Sequence, residues 1–139
     1  MTASKTWAPV AFAFALAVAP GAFAQKKYDP GASDTEIRIG QTMPYSGPAS
    51  AYGTIGRVEA AYFQKINDEG GINGRKIKLL SVDDGYSPPK TVEMTRKLVE
   101  QDEVLFMFQP LGTAANSAIH KYLNTKKVPH LLVASGATK

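Results

Sequence analysis

The residues of this sequence that could perform covalent chemistry do not form a catalytic pattern. Cysteine is absent from all 139 residues, which excludes thiol nucleophiles, disulfides, zinc–thiolate sites and iron–sulfur clusters. Ser46 lacks the flanking glycines of a nucleophile elbow, and His120 and His130 have no partner at metal-ligand spacing. No triad, metal cluster or carboxylate pair with a suitable base can be assembled. We therefore predict a protein that is not an enzyme, with no catalytic residues, no metal site and no cofactor.

Two further motifs have structural explanations. Gly70-Gly71-x-x-Gly74 precedes a predicted strand instead of following one, so it is a helix stop and a turn, not a dinucleotide fingerprint. Asp83-Asp84 follows the second predicted strand, whereas the acidic pair of phosphorelay receivers follows the first, and no phosphoacceptor aspartate ends the third strand. We interpret these two aspartates as solvated or helix-capping carboxylates.

Small hydrogen-bonding residues cluster in three segments that follow predicted strands, at 44–52, 110–116 and 134–138. Together they offer hydroxyls, amides and free backbone groups: Ser46, Gly47, Ser50, Gly112, Thr113, Asn116, Ser135, Gly136 and Thr138. Hydroxyls and amides without an activated nucleophile suit recognition of a small anion or zwitterion. The alternative is that these residues only form turns.

One of these segments leads directly into a predicted helix. Thr113 stands where it can cap that helix, which would leave the N–H groups of Ala115 and Asn116 near the ligand. Helix N-termini attract carboxylates by about 0.3–1 kcal/mol each. The segment therefore predicts part of an anion-binding site.

The elements that must position these segments follow from the spacing of apolar residues. The pattern predicts strands at 36–43, 76–82, 104–108 and 130–133, and helices at 53–68, 91–101 and 114–125. Strands that alternate with helices predict an α/β fold, an open parallel sheet of order 2-1-3-4 with helices on both faces. In that order the loops after strands one and three diverge and leave a crevice, where ligands of open α/β sheets bind.

Composition narrows the classes of partner. The chain is 44% hydrophobic and 20% charged, which is typical of a globular protein, and its length suits one modest domain or part of a larger one. Its net charge of +4 is spread along the chain, with no run of five basic residues. We therefore predict no nucleic-acid partner.

The N-terminus has the three-part pattern of a secretory signal peptide. Lys5 supplies a positive charge, residues 10–19 are apolar, and Ala22-Phe23-Ala24 is a cleavage site. The apolar run is too short to span a bilayer. We predict that residues 1–24 are removed after Ala24 and that the product reaches the periplasm; the alternative is an uncleaved anchor or buried helix.

The rest of the chain divides into a short leader and a folded part. Residues 25–35 are polar with Pro30 and Gly31, which predicts a flexible leader. Residues 36–139 carry all the predicted strands and helices and form one α/β lobe.

Several motifs follow one another within residues 36–139: Ile37-Arg38-Ile39-Gly40, Ser46-Gly47-Pro48, Tyr52-Gly53, Ile66-Asn67-Asp68-Glu69-Gly70-Gly71-Ile72-Asn73-Gly74-Arg75, Asp83-Asp84, Pro88-Pro89-Lys90 and Val128-Pro129-His130-Leu131. In this order and at this spacing they resemble a known family, the branched-chain-amino-acid (Leu/Ile/Val-type) periplasmic binding proteins of ABC transporters. The turn rich in asparagine and glycine after the first helix is especially specific.

The resemblance implies a type I periplasmic binding fold of two hinged α/β lobes that close on one small ligand and then dock on an ABC permease in the inner membrane. Such proteins bind amino acids, amides, urea, or aromatic and other carboxylates. This chain would supply most of lobe one, with lobe two absent. The implied ligand contacts follow strands three and four, and the implied rim contacts are Tyr45, Ser46 and Tyr86. The loop contacts are Leu111, Gly112, Thr113, Ala134, Ser135, Gly136, Ala137 and Thr138.

One departure from the family pattern bears on the ligand. Amino-acid binders often have a serine-rich stretch after strand three, where this chain has Leu111-Gly112-Thr113-Ala114-Ala115. This weakens the case for an amino acid and leaves room for an aromatic or aliphatic carboxylate, so the expected ligand is an amino acid, an amide, or an aromatic or aliphatic carboxylate. Two alternatives to an importer component stay open: a sensor or receptor domain of the same binding fold, and a small secreted α/β enzyme.

Overall fold

A four-stranded parallel sheet organises the chain in the computed structural model, which describes residues 27–137. The strand order β2-β1-β3-β4 confirms the predicted order. No helix within 27–137 is long and apolar enough to cross a membrane. The elements in chain order are β1 (Glu36–Met43), a 3₁₀ turn (Ser50–Tyr52), α1 (Gly53–Asp68), β2 (Lys76–Asp83), α2 (Pro88–Glu100), β3 (Phe106–Phe108), α3 (Thr113–Lys126) and β4 (His130–Leu131).

Different helices cover the two faces of the sheet, as predicted. The Gln41 side chain on β1 donates a hydrogen bond to Glu59 of α1. A Cβ placed on neighbouring Gly40 would instead lie 2.9 Å from the sulfur of Met107, which packs in a cluster with α2 and α3 residues. Because consecutive strand residues point to opposite faces, α1 covers one face, and α2 and α3 cover the other.

One apolar cluster fixes α2 and α3 against the sheet. It consists of Leu98, Val104, Met107, Ile119 and Leu123, all nearly excluded from solvent. Full burial of each large apolar side chain stabilises the fold by about 1.5–3 kcal/mol. The cluster therefore holds α3 in place, with its N-terminus at the carboxyl edge of the sheet.

Three element boundaries differ by two residues or more from the ranges that the apolar spacing predicts. Helix α2 begins at Pro88, three positions before the periodic range 91–101, because Pro88 and Pro89 occupy the first turn, where prolines are tolerated since no intrahelical donor is needed. Strand β3 begins at Phe106 because the Val104 N–H bonds to the Leu98 carbonyl at the end of α2 instead of to the sheet. Strand β4 ends at Leu131 because Leu132 adopts a left-handed φ of 53° and is 72% exposed.

Part of the predicted flexible leader is bonded to the sheet. The Gly31 carbonyl accepts a hydrogen bond from the Arg38 N–H at 2.7 Å, and the Thr35 carbonyl accepts one from the Lys76 N–H at 2.8 Å. A Cβ on Gly31 would lie 2.2 Å from the Leu105 nitrogen, so only glycine fits this approach. These bonds anchor residues 31–35. The predicted signal peptide, residues 1–24, lies outside the described residues.

Candidate functional site

A cleft of about 310 Å³ opens at the carboxyl edge of the sheet. Its position matches the crevice expected where the strand order reverses between β1 and β3. One part of its wall is polar, and the other is aromatic and aliphatic. The lining residues are Tyr52, Ile55, Tyr86, Leu111, Gly112, Thr113, Ala134, Ser135 and Gly136.

The segments after β3 and β4 are joined by hydrogen bonds. The Gly112 N–H donates to the Ala134 carbonyl at 2.9 Å, and the Ala134 N–H donates to the Pro110 carbonyl at 3.1 Å. The hydroxyls of Thr113 and Ser135 lie 2.8 Å apart and share a hydrogen bond. The structure thus brings two of the sequence-predicted site segments together on one wall.

The N-terminus of α3 faces this wall, but Thr113 does not cap it. The cap residue is Gly112, with φ 110°, and Thr113 is the first helical residue, with its hydroxyl bonded to Ser135. The predicted cap is therefore wrong, and so is the predicted open N–H of Asn116, which bonds to the Gly112 carbonyl. The N–H groups without a partner inside the helix are those of its first three residues, 113–115.

Asn116 holds the loop that precedes α3. Its side-chain amide donates to the carbonyls of Pro110 and Gly112, at 2.9 and 2.8 Å. Its Oδ1 lies 2.7 Å from His130 Nε2 and can only accept, so that histidine nitrogen is the donor. Burial, together with the nearby His120, lowers the pKa of His130. A neutral His130 therefore orients Asn116 and, through it, the polar wall of the cleft.

Asp83 ties the loop after β1 to the loop after β2. Its carboxylate accepts hydrogen bonds from the Ser46 hydroxyl at 2.6 Å, from the N–H groups of Ser46, Tyr45 and Gly85 at 2.9–3.0 Å, and from the Lys90 ammonium at 3.1 Å. The Ser46 hydroxyl, followed by Gly85 and Lys90, holds the pKa of Asp83 well below its usual range. The β1 loop is therefore fixed by a carboxylate that stays ionised.

Tyr45 and Ser46, two sequence-predicted site residues, do not line the cleft. Both are engaged with Asp83, and the Tyr45 hydroxyl also pairs with the Ser81 hydroxyl on β2. The Arg57 guanidinium lies over the Tyr45 ring, 5.4 Å from its centre. These bonds hold the loop after β1 in place, and a rim contact from either residue stays a prediction.

Asp84 is fully buried and no side chain caps α2, so neither the solvated nor the helix-capping interpretation is correct for this carboxylate. It accepts hydrogen bonds from the Thr91 hydroxyl at 2.7 Å and from the Tyr86 N–H at 2.9 Å. Tyr86, predicted as a rim contact, lines the cleft with its ring against Gly112: a Cβ on that glycine would lie 2.8 Å from Tyr86 Cε2. Asp84 thus positions an aromatic wall residue.

The remaining site residues divide as follows. Leu111, Gly112, Thr113, Ala134, Ser135 and Gly136 line the cleft, whereas Ala137 lines a neighbouring cavity of about 540 Å³ that also includes His130. Thr138 lies outside the described residues. Tyr52, the last residue of the predicted crevice segment 44–52, also lines the cleft, whereas sequence reasoning missed Ile55. The signal for Ile55 was its position in the first turn of α1, one of the helices that begin at this edge.

An open parallel sheet with a polar cleft at its strand reversal is the architecture in which α/β proteins place small-ligand sites. Residues 36–139, about three quarters of the chain, match the family model described as periplasmic binding protein. The chain belongs to the periplasmic binding protein family.

Individual relatives agree with this assignment. The chain is 37% identical to an amino acid binding protein of Pseudomonas aeruginosa over 73 residues, which is 50% of this chain and 19% of the relative. Among solved structures, it is similar to a fatty acid ABC transporter substrate-binding protein from Thermomonospora curvata (TM-score 0.67, 26% identity, 80% of this chain and 28% of that one). It is also similar to a branched-chain amino acid transporter substrate-binding protein from Streptococcus pneumoniae in complex with isoleucine (TM-score 0.65, 26% identity, 75% of this chain and 30% of that one). The chain spans about a fifth of the length of the curated relatives it matches.

Proposed function

We propose that this chain forms one wall of the ligand cleft in a periplasmic solute-binding component of an ABC importer, and that the ligand carries a carboxylate. The single observation that carries the proposal is the Thr113–Ser135 hydroxyl pair at the N-terminus of α3. The names of the relatives, which describe amino-acid and fatty-acid substrate-binding proteins, support the same class of activity.

A carboxylate is the group that this wall accommodates best. The first-turn N–H groups of α3 are donors, and the positive end of the helix dipole favours an anion by about 0.3–1 kcal/mol, or up to about 2 kcal/mol when partly buried. A hydroxyl donor from Thr113 or Ser135 adds a hydrogen bond to a charged group, worth about 1.5–3 kcal/mol. These hydrogen bonds to the ligand carboxylate do not depend on any titratable side chain of the cleft wall.

One lobe supplies only part of the enclosure that such a ligand needs. Ligand pockets normally bury about 70–90% of the ligand surface, whereas this cleft presents a single wall. We infer that a second lobe, in the part of the relatives' length that this chain does not span, covers the opposite side of the ligand.

The cellular setting follows from the same proposal. Export through the signal peptide at residues 1–24 would deliver the protein to the periplasm, where the ligand-bound form would dock on an ABC permease in the inner membrane. The protein would then act by binding and not by catalysis, with no cofactor and no nucleic-acid partner.

Isothermal titration of the complete protein that carries this sequence tests the proposal. Each carboxylic acid in a panel of aliphatic acids, aromatic acids and amino acids is compared with its own primary amide, which has the same shape without the charge. We expect the best acid to bind at least about tenfold more tightly than its amide, because the amide loses the charge-assisted hydrogen bonds. Equal binding of the pair, or no binding by any member, would contradict the proposal.

A further inference from the structure

The cleft has an aromatic side that the carboxylate site does not use. Tyr52 and Tyr86 are 58% and 45% exposed and line the cleft together with Ile55 and Leu111. Within residues 27–137, neither tyrosine hydroxyl has a hydrogen-bond partner. The two rings therefore offer flat apolar surface next to the polar wall.

Tyr86 stands where the backbone favours a different residue. Gly85 and Tyr86 have φ values of 58° and 61°, and the Ser87 N–H bonds to the Asp84 carbonyl at 3.0 Å. Two consecutive left-handed residues inside such a bond form a tight turn whose second central position prefers glycine or asparagine. An aromatic side chain at that position raises the conformational free energy of the backbone. Burial in the core does not offset this cost, because Tyr86 is half-exposed.

The surroundings hold the Tyr86 ring at the carboxylate site. The buried Asp84 carboxylate fixes the Tyr86 N–H, and Gly112, at φ 110°, leaves room for the ring beside the N-terminus of α3. A side chain at Gly112 would push the ring away. A strained, oriented and half-exposed aromatic residue is typical of a ligand contact.

The described wall offers no carboxylate for a ligand ammonium group. No charged side chain lines the cleft within residues 27–137, and Asp83 and Asp84, which precede Tyr86 in the chain, are both committed to bonds inside the lobe. An α-amino acid would therefore place its positive charge on this wall without a carboxylate partner.

We propose that Tyr86 determines specificity and that the ligand is an aromatic carboxylate, whose ring packs against Tyr86 while its carboxylate meets Thr113, Ser135 and the start of α3. This inference rests on the proposed function and adds the substrate class. A planar ring suits the site because offset or edge-to-face contacts between aromatic rings add to the gain from burial alone.

Titration of the complete protein with three probes tests the ligand class. The probes are benzoate, cyclohexanecarboxylate, which has a similar size without a planar ring, and leucine. We expect benzoate to bind at least about threefold more tightly than cyclohexanecarboxylate and at least about tenfold more tightly than leucine. Tyr86→Leu should weaken benzoate binding about 2- to 12-fold, whereas Tyr86→Phe should preserve it. Tyr62→Leu, at an exposed position of α1 outside the cleft lining, is the control and should change nothing.

The outcomes separate this inference from the proposed function. Tighter binding of cyclohexanecarboxylate or leucine than of benzoate would overturn the aromatic class and leave a carboxylate-binding protein. Unchanged benzoate affinity in Tyr86→Leu would overturn the role of Tyr86. If no probe and no other acid binds, the proposed function fails as well. Thermal melting shows whether Tyr86→Leu is folded. If it is not, the order in which the unmodified protein binds the three probes tests the aromatic class of the ligand.

Discussion

The hydroxyl oxygens of Thr113 and Ser135 lie 2.8 Å apart although the residues are 22 positions apart in the sequence. Strands β3 and β4 are parallel neighbours, so the segments that leave their carboxyl ends run side by side. The pair therefore results directly from the strand order, and it places two hydroxyls beside the N-terminus of α3.

Loss of either hydroxyl should weaken ligand binding without unfolding the protein. Thr113→Ala and Ser135→Ala in the complete protein should both lower carboxylate affinity: about 10- to 100-fold for the hydroxyl that donates to the ligand, because a hydrogen bond to a charged group is lost, and less for its partner, which only positions that donor. Titration calorimetry measures the change. Thr125→Ala is the matched control, since its hydroxyl bonds to the Lys121 carbonyl at the other end of α3. If both cleft variants bind like the unmodified protein, the ligand site lies elsewhere.

Asp83 should stabilise the lobe in a pH-dependent way. Its partners, the Ser46 hydroxyl first, hold its pKa below the usual range, so its contribution is complete above the unfolded pKa of about 3.9 and is lost as the pH falls below that value. Asp83→Asn should lower the free energy of unfolding by about 1–2 kcal/mol near pH 7, with a smaller difference near pH 3. Urea unfolding at both pH values measures this.

Glu93→Gln serves as the control for Asp83, because Glu93 is an exposed carboxylate on α2. It should change stability by no more than about 0.5 kcal/mol at either pH. A stability loss in Asp83→Asn that is the same near pH 7 and near pH 3 would show that the ionised carboxylate is not what joins the two loops.

The sequence predicted the strand order and most of the elements because those depend on local periodicity and short connections. The bounds of β1 and α1 agree with the predicted ranges. The errors arise where a hydrogen-bond partner elsewhere in the chain determines the position of a side chain. Thr113 does not cap α3 because the helix begins one residue earlier than predicted, with Gly112 at the cap, and the Thr113 hydroxyl pairs with Ser135. Asp84 is buried with its carboxylate bonded to the Thr91 hydroxyl. Neither partner could be assigned from spacing alone.

The chain 25–139, expressed alone, should bind ligand at least about 100-fold more weakly than the complete protein, a loss of about 2.7 kcal/mol or more. The physical reason is that one cleft wall cannot bury most of the ligand. Side-by-side titrations of the two proteins with the same acid test this. Equal affinity of the two proteins for that acid, together with a cooperative thermal transition of 25–139, would contradict it.

Export should produce a mature protein that begins at Gln25. The apolar run at 10–19 and the Ala22-Phe23-Ala24 site predict cleavage by signal peptidase at that point. N-terminal sequencing of the periplasmic fraction measures the mature end. Recovery of an uncleaved, membrane-bound chain would contradict both the cleavage and the periplasmic location.

A crystal structure of the complete protein with its tightest-binding carboxylate tests the binding site most directly. We expect a carboxylate oxygen within about 3.2 Å of Thr113 Oγ1, Ser135 Oγ or a first-turn N–H of α3, with the rest of the ligand against Tyr86. A ligand seated away from the cleft between the β3 and β4 segments, or one whose carboxylate points away from α3, would contradict the proposed site.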